Sequence, residues 1–136
     1  CIKACHGGAI DADGNIDTWR CAVYYNGANG SKNPFMPPDA FSDLADRLKI
    51  IDGSAKIDTG LAVEILNRCL FYPPAKHFYR TSICGRACDR ACYIHLEEKG
   101  VLSKKFKYKF REGKDWKLSL NQFKTGKRDK EWDFTK

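Results

Sequence analysis

The sequence lacks the features that would place it in several large classes of protein. No run of ~18 apolar residues occurs among its 136 residues, so no membrane-spanning helix is expected. The motifs of zinc proteases (H-E-x-x-H), serine hydrolases (G-x-S-x-G) and P-loop enzymes are absent. No acid–base pair or nucleophile stands out, so no catalytic residue is predicted. Three Trp, six Tyr and eight Phe are spread along a chain of single-domain length, which is not typical of low-complexity disorder.

The net charge of +7 is unevenly distributed along the chain. Residues 1–66 contain six Lys or Arg against nine Asp or Glu, for a charge of −3. Residues 67–136 contain eighteen against eight, for a charge of +10. The basic second half is a candidate docking surface for an acidic partner, although a solvated basic surface is the commoner meaning of such a bias.

Apolar periodicity predicts three helices. The first covers residues 39–51, with Asp39 as its N-cap and apolar side chains three or four positions apart. The second covers 58–70, before a pair of prolines that would end it. The third covers 89–100, with Gly100 as its C-terminal cap.

Beyond residue 103 the period becomes two, which predicts a β-hairpin with an aromatic face and a lysine-rich face. An extended polar tail is expected from Thr125 onward. The predicted fold class is therefore α+β: a loop-rich module over residues 1–100 with a helical insertion at 39–70, and a basic hairpin and tail over 101–136. The apolar positions of the hairpin are Phe106, Tyr108 and Phe110 in one strand, and Trp116, Leu118 and Leu120 in the other.

Seven cysteines are the main chemical signal in the sequence. Cys69 lies on the apolar stripe of the second predicted helix and is interpreted as an ordinary buried residue. The spacing of the others is regular and close, whereas disulfides usually join segments distant in sequence. These six are the candidate metal ligands: Cys1, Cys5, Cys21, Cys84, Cys88 and Cys92.

Spacing alone leaves iron–sulfur, zinc and disulfide interpretations open. Iron–sulfur clusters use thiolates alone and accept them from separate loops. The small residues beside these cysteines, such as Gly7 and Gly85, would let backbone N–H groups approach the cluster. Zinc would need two sites, and its ligands prefer a two-residue gap in one pair. Disulfides would leave one odd thiol and would indicate an exported binding domain, the only setting in which the glycosylation sequon at Asn29 would matter. The spacing favours clusters.

Three cysteine groups carry a resemblance to a known family. Cys1-Ile-Lys-Ala-Cys5 is similar to the second half of the bacterial ferredoxin motif C-x2-C-x2-C-x3-C-P. The segment around Cys21, followed by the run Cys84-Gly-Arg-Ala-Cys88-Asp-Arg-Ala-Cys92, resembles the epoxyqueuosine reductase and reductive dehalogenase family. Members carry a ferredoxin-like double [4Fe–4S] module that passes electrons to a cobalamin in an upstream domain. The resemblance covers residues 1–100 at most.

The resemblance implies a ligand set and a function. One [4Fe–4S] cluster would be completed by Cys5, Cys21, Cys84 and Cys88. A second would be held at two corners by Cys1 and Cys92 and completed by residues upstream of Cys1, which makes the chain the C-terminal part of a longer protein. The implied activity is electron transfer within an oxidoreductase, with cobalamin in the upstream domain. The implied partners are that domain or a redox partner, in the cytoplasm, or outside it for a protein of the dehalogenase type.

Three departures from the family pattern concern the ligand assignment. His6 stands where the motif has proline, three residues rather than two separate Cys84 from Cys88, and a long insertion separates Cys21 from Cys84. No segment matches a cobalamin-binding motif. RNA binding by the hairpin is a further alternative, because lysines alternate with aromatic residues. A sheet that turns those aromatics toward its core accounts for the same pattern, so nucleic acid is not expected as a partner. The lysines in question are Lys105, Lys107 and Lys109.

Overall fold

The computed structural model describes residues 1–69, 84–104 and 117–128. None of the helices in these ranges is long and apolar enough to cross a membrane. Within the same ranges, the β-structure consists of one isolated antiparallel bridge between Ile10 and Ile16. The helices are α1 (Thr18–Tyr25), α2 (Arg47–Asp52), α3 (Thr59–Arg68), α4 (Ala87–Glu98) and α5 (Asn121–Thr125).

A tight turn introduces α1. The Asp11 carboxylate accepts hydrogen bonds from the backbone N–H groups of Asp13 (2.9 Å) and Asn15 (2.8 Å). Asp17 then caps α1 by accepting from the Arg20 N–H at 2.9 Å, which satisfies one of the N–H groups that a helix start leaves unpaired. The cap fixes where the helix begins, and so which side chains of α1 share a face.

The first predicted helix, 39–51, is wrong over its first half. Residues 39–46 form successive turns, and α2 begins only at Arg47. Phe41 is buried and adopts a left-handed backbone conformation with φ of 56°, which a continuous helix does not tolerate. The Arg47 guanidinium also donates hydrogen bonds to the carbonyl oxygens of Pro38 and Ala40, the latter at 2.7 Å. In a continuous helix these carbonyls would instead accept from backbone N–H groups. Gly53 ends α2 with φ of 84°.

The second and third predicted helices are present, with shifted ends. In α3, Asp58 caps the N-terminus by accepting from the Leu61 N–H at 2.8 Å, and Ile65 is buried against the core. α4 begins two residues before the predicted start and ends before Gly100, whose φ is 69°. Every residue of α4 retains some exposure, so this helix contributes no fully buried side chain.

The core packs α1 against α3 and is closed by α5, which the sequence analysis missed. Phe123 of α5 is buried and lies beside Gly30, where an added Cβ would come within 2.5 Å of both Phe123 and Ile51. Leu118 is buried and donates its N–H to the Ser31 carbonyl at 2.8 Å. The buried apolar cluster comprises Val23, Tyr24, Ala28, Met36, Ala40, Phe41, Ile50, Ile51, Ala55, Ile57, Ala62, Ile65, Cys69 and Phe123.

The predicted hairpin is mostly outside the described ranges, which omit residues 105–116. Of its second strand, Leu118 and Leu120 are described, and Leu120 is the N-cap of α5 rather than a strand residue. Thr125, the expected start of an extended tail, is the last residue of the same helix. Burial of Phe123 explains why this segment is helical rather than extended. A short helix places the Phe123 ring in the core, although the residues on either side of it in the sequence are polar.

The sequon at Asn29 has a structural role. The Asn29 side chain is 8% exposed, and its amide donates to the His6 carbonyl at 2.8 Å. Its oxygen accepts the N–H of Ser31 at 3.0 Å. The side-chain amide is thus engaged inside the fold and links the loop after α1 to the segment that carries Cys5.

Candidate metal centre

Four of the seven cysteines line one cavity of about 390 Å³. They come from three separate stretches of the chain: the N-terminal loop, α1, and the turn that leads into α4. Because a single water occupies ~30 Å³ of liquid, the cavity is much larger than one ion requires. The four are Cys5, Cys21, Cys84 and Cys88.

The helical repeat of α1 presents Cys21 to the cavity together with two aromatic side chains. Tyr24 and Tyr25 follow Cys21 by three and four positions, so the three side chains share one face of the helix. Tyr24 is buried, and its hydroxyl donates to the Ile50 carbonyl at 2.9 Å. Burial raises the pKa of Tyr24 to about 12, so this wall of the cavity stays uncharged at neutral pH.

The N-terminal loop curls around Cys5. The Cys5 N–H is within 3.1 Å of the Cys1 carbonyl, and the Ala9 N–H donates to the Cys5 Sγ at 3.3 Å. Hydrogen bonds of this kind stabilise negative charge on sulfur and are one of the means by which proteins tune iron–sulfur sites. Gly7 lies so close to α1 that an added Cβ would be 2.6 Å from the Tyr24 ring.

The turn before α4 brings Cys84 and Cys88 to the same cavity. Gly85 and Arg86 between them are both left-handed, with φ of 59° and 49°. Cys88 then lies in the first turn of α4. The Cys88 Sγ lies 3.9 Å from an Asp89 carboxylate oxygen. The other Asp89 oxygen pairs with Arg86 at 2.6 Å, at a largely exposed position where such a pair contributes little stability.

The four thiols interact electrostatically. Burial raises the pKa of the Cys21 thiol, and negative charge on Cys5, Cys84 and Cys88 raises it further. A thiolate at Cys21 is therefore disfavoured by repulsion from the other three sulfurs when they are charged. A bound cation or a cationic cluster would offset that repulsion, and its uptake would release the thiol protons.

A single metal ion and a cluster differ in how close together they need their ligands. Within residues 1–69, 84–104 and 117–128, no group of three or more His, Cys, Asp or Glu side chains is arranged to hold one metal ion. A tetrahedral zinc site needs all four sulfurs within ~2.3 Å of one point. A four-iron cluster bonds each thiolate through a different iron, so its ligands stand further apart, around a cavity rather than a point.

The three remaining cysteines are not part of this cavity. Cys1 and Cys92 are exposed and do not line it, so the structure does not bring them to the other four. Cys69 is buried at the end of α3, and burial raises the pKa of its thiol to about 12. All seven lie in the described residues, and each is a reduced thiol rather than half of a disulfide.

The sequence analysis missed the residues that hold the cavity walls together. The sequence pattern gave no role to Tyr24 or Tyr25, and Arg20 carried no signal at all. The partners of Arg20 are backbone carbonyls of Gly7, Gly53 and Ala55, which no side-chain motif reveals. Only the position of Arg20, directly before a candidate ligand, could have drawn attention to it.

No family model, curated protein or solved structure matches this chain. The case for a metal centre therefore depends on the residues themselves: the convergence of four thiols, their mutual electrostatics and the N–H group directed at one sulfur.

Proposed function

We propose that this chain is an electron-transfer module in which Cys5, Cys21, Cys84 and Cys88 hold one [4Fe–4S] cluster. The observation that carries the proposal is the meeting of these four thiols at one cavity, although Cys21 and Cys84 lie 63 positions apart in the sequence. Sequence spacing alone would not require such a meeting. The resemblance to the epoxyqueuosine reductase and reductive dehalogenase family assigns the same four residues to one cluster.

Each element around the cavity has a task in this proposal. The four thiolates bind iron, and the Ala9 N–H stabilises charge on the Cys5 sulfur. Tyr24 and Tyr25 cover the cavity wall and limit the access of water. The turn before α4 and the first turn of that helix bring Cys84 and Cys88 to the cavity. When bound, a cluster of this kind accepts and releases one electron at a time, at a potential that depends on burial and on hydrogen bonds to sulfur.

The wider setting of the module follows from the same resemblance. Electrons would leave the cluster for an active site in an upstream domain, where a cobalamin would be held. Cys1 and Cys92 are exposed and would serve a second cluster together with ligands from that domain. The protein would act in the cytoplasm as part of a reductase, and its partner would be that domain or a separate redox protein.

Single-cysteine variants test the ligand set. In anaerobically reconstituted protein, Cys21→Ser should lose most of the iron and inorganic sulfide that the unchanged chain retains. Cys69→Ala is the matched control, because Cys69 is buried away from the cavity and should leave the iron-to-protein ratio unchanged. Equal iron content in the two variants would contradict the proposal. Zinc bound without sulfide, lost on the Cys21 change, would indicate a structural zinc site instead.

A further inference from the structure

Arg20 holds together the two segments that supply Cys5 and Cys21. Its Nε donates to the Gly7 carbonyl at 2.5 Å, and Gly7 lies two residues after Cys5 in the N-terminal loop. Its Nη1 donates to the Ala55 carbonyl at 2.7 Å, and its Nη2 donates to the Gly53 carbonyl. All three guanidinium nitrogens are thus used to join the N-terminal loop and the α2–α3 connection to α1.

The same side chain packs against the wall of the cavity. The Arg20 guanidinium carbon lies 5.2 Å from the centre of the Tyr24 ring, within the range of a cation–π interaction. Tyr24 in turn contacts Gly7 so closely that no Cβ would fit there. Arg20, Tyr24 and Gly7 therefore form one packed unit, which we call the Arg20 clamp, and two of its members, Tyr24 and Gly7, line the cavity together with Cys5 and Cys21.

We propose that Arg20 is a positioning residue for the metal centre: through the Arg20 clamp it sets the distance between the thiols of Cys5 and Cys21. The inference rests on the proposed function for its purpose but concerns the metal-free chain as well. Cys5 has no helix or strand to place it, since it lies in a loop of turns. The hydrogen bond from Arg20 to Gly7 joins this loop to the helix of Cys21 two residues after Cys5, and the bond from the Asp17 N–H to the Ala9 carbonyl (2.8 Å) joins them again further along the loop.

Arg47 provides a matched control elsewhere in the fold. It also donates to three backbone carbonyls: Ala40 at 2.7 Å, Phe123 at 2.7 Å, and Pro38. These partners lie in the turn before α2 and in α5, and neither Arg47 nor its partners line the cavity. Loss of the Arg47 contacts should lower stability as much as loss of the Arg20 contacts, without moving a cysteine.

The test uses Arg20→Lys and Arg47→Lys in the full metal-free chain under reducing conditions. Lysine keeps the charge but lacks the planar fork that serves three carbonyls at once. A bifunctional thiol reagent such as dibromobimane bridges nearby cysteines, and peptide mass spectrometry quantifies the Cys5–Cys21 bridge. Lysine at position 20 also preserves the tryptic cleavage there, so the same peptides are compared.

We expect Arg20→Lys to lower the yield of the Cys5–Cys21 bridge severalfold, and Arg47→Lys to leave it unchanged while lowering the urea midpoint. A bridge yield in Arg20→Lys equal to that of the unchanged chain would overturn the inference, as would an equal loss in both variants. Should Arg20→Lys fail to fold, Gly7→Ala tests the Gly7–Tyr24 contact of the Arg20 clamp with Arg20 intact. Its Cβ forces the loop away from Tyr24 and should also reduce the bridge, and an unchanged yield would refute the clamp.

A measurement of iron uptake distinguishes failure of the positioning role of Arg20 from failure of the proposed function. If the unchanged chain binds a cluster, Arg20→Lys should weaken iron retention by about 10-fold or more, as second-layer changes at metal sites do. If the unchanged chain binds no cluster but Arg20→Lys still loses the Cys5–Cys21 bridge, the proposed function fails while the positioning role of Arg20 stands.

Discussion

Tyr24 and Cys69 each place a titratable group in the core, and the consequence is a stability that depends on pH. Burial raises the pKa of both groups to about 12, from ordinary values of 10.0 for tyrosine and 9.0 for cysteine. Below about pH 9 both groups are protonated in the folded and the unfolded chain, so their contribution to stability is complete. As the pH rises toward 12, the unfolded chain releases protons that the folded chain keeps, and stability falls.

We therefore expect the urea midpoint of the metal-free chain to decrease steadily once the pH exceeds about 9. Tyr24→Phe should make the decrease shallower, because it removes one of the two buried groups. The same variant should cost about 0.5–1.5 kcal/mol at neutral pH, because the hydrogen bond to the Ile50 carbonyl is lost. Urea unfolding followed by far-UV circular dichroism at several pH values measures both effects. A midpoint that does not change with pH would show that the two groups are not buried.

Individual side chains also show how far the sequence could predict the site. The family resemblance of the cysteine groups implies Cys5, Cys21, Cys84 and Cys88 as one ligand set, and these four line one cavity. Their role as cluster ligands remains a prediction. Arg20 could not be predicted, because its hydrogen-bond partners are backbone carbonyls 13 to 35 residues away, whose positions depend on the finished fold.

At the scale of the elements, apolar spacing predicted α3 well and α2 poorly for an identifiable reason. α3 has a capping aspartate and apolar side chains on one stripe, so local and tertiary preferences agree. Residues 39–46 have the same spacing, but they form turns instead. Phe41 is buried with a φ of 56°, and Arg47 donates a hydrogen bond to the Ala40 carbonyl in this segment. α5 is too short to show a period, and only the burial of Phe123 reveals why it forms.

Alanine substitutions at two glycines should change the free energy of unfolding in opposite directions. Gly30→Ala should lower the free energy of unfolding by about 1–3 kcal/mol, because its Cβ would lie 2.5 Å from Phe123 and Ile51 in a filled core. Gly60→Ala should raise it by about 0.5–1 kcal/mol, because Gly60 lies within α3 and its nearest neighbour, the Asp58 carboxylate, is 3.5 Å away. Chemical denaturation of both variants checks the pair. Stabilisation by Gly30→Ala would contradict the packing of α5 on the loop after α1.

α4 is the element whose order should depend most on the metal centre. It contributes no fully buried residue, yet Cys88 in its first turn and Cys84 just before it line the cavity. In the metal-free chain, we expect its backbone amides to exchange with solvent faster than those of α3. Reconstitution with iron and sulfide should slow exchange in α4 and leave α3 nearly unchanged. Hydrogen exchange read by mass spectrometry measures this, and equal protection of α4 before and after loading would argue against ligation by Cys84 and Cys88.

At the scale of the whole molecule, a bound cluster would join segments of the chain that the small apolar core joins only in part. As ligands, the four cysteines would tie the N-terminal loop, α1 and the start of α4 to one centre, and binding to the folded state alone would stabilise it by mass action. The apolar cluster, by contrast, is formed by α1, α2, α3, α5 and the loops between them. The cavity is thus the place where the fold brings N-terminal and later segments of the chain together, and it is also the site of the proposed function.

The presence of a cluster is tested most simply by the iron and inorganic sulfide content of the anaerobically reconstituted chain, read together with its absorption spectrum. We expect at least four irons and four sulfides per chain, with a broad absorption band near ~400 nm that bleaches on reduction. Cys69→Ala should give the same values. A colourless chain that retains neither iron nor sulfide, with its four cavity thiols still reduced, would contradict the central claim.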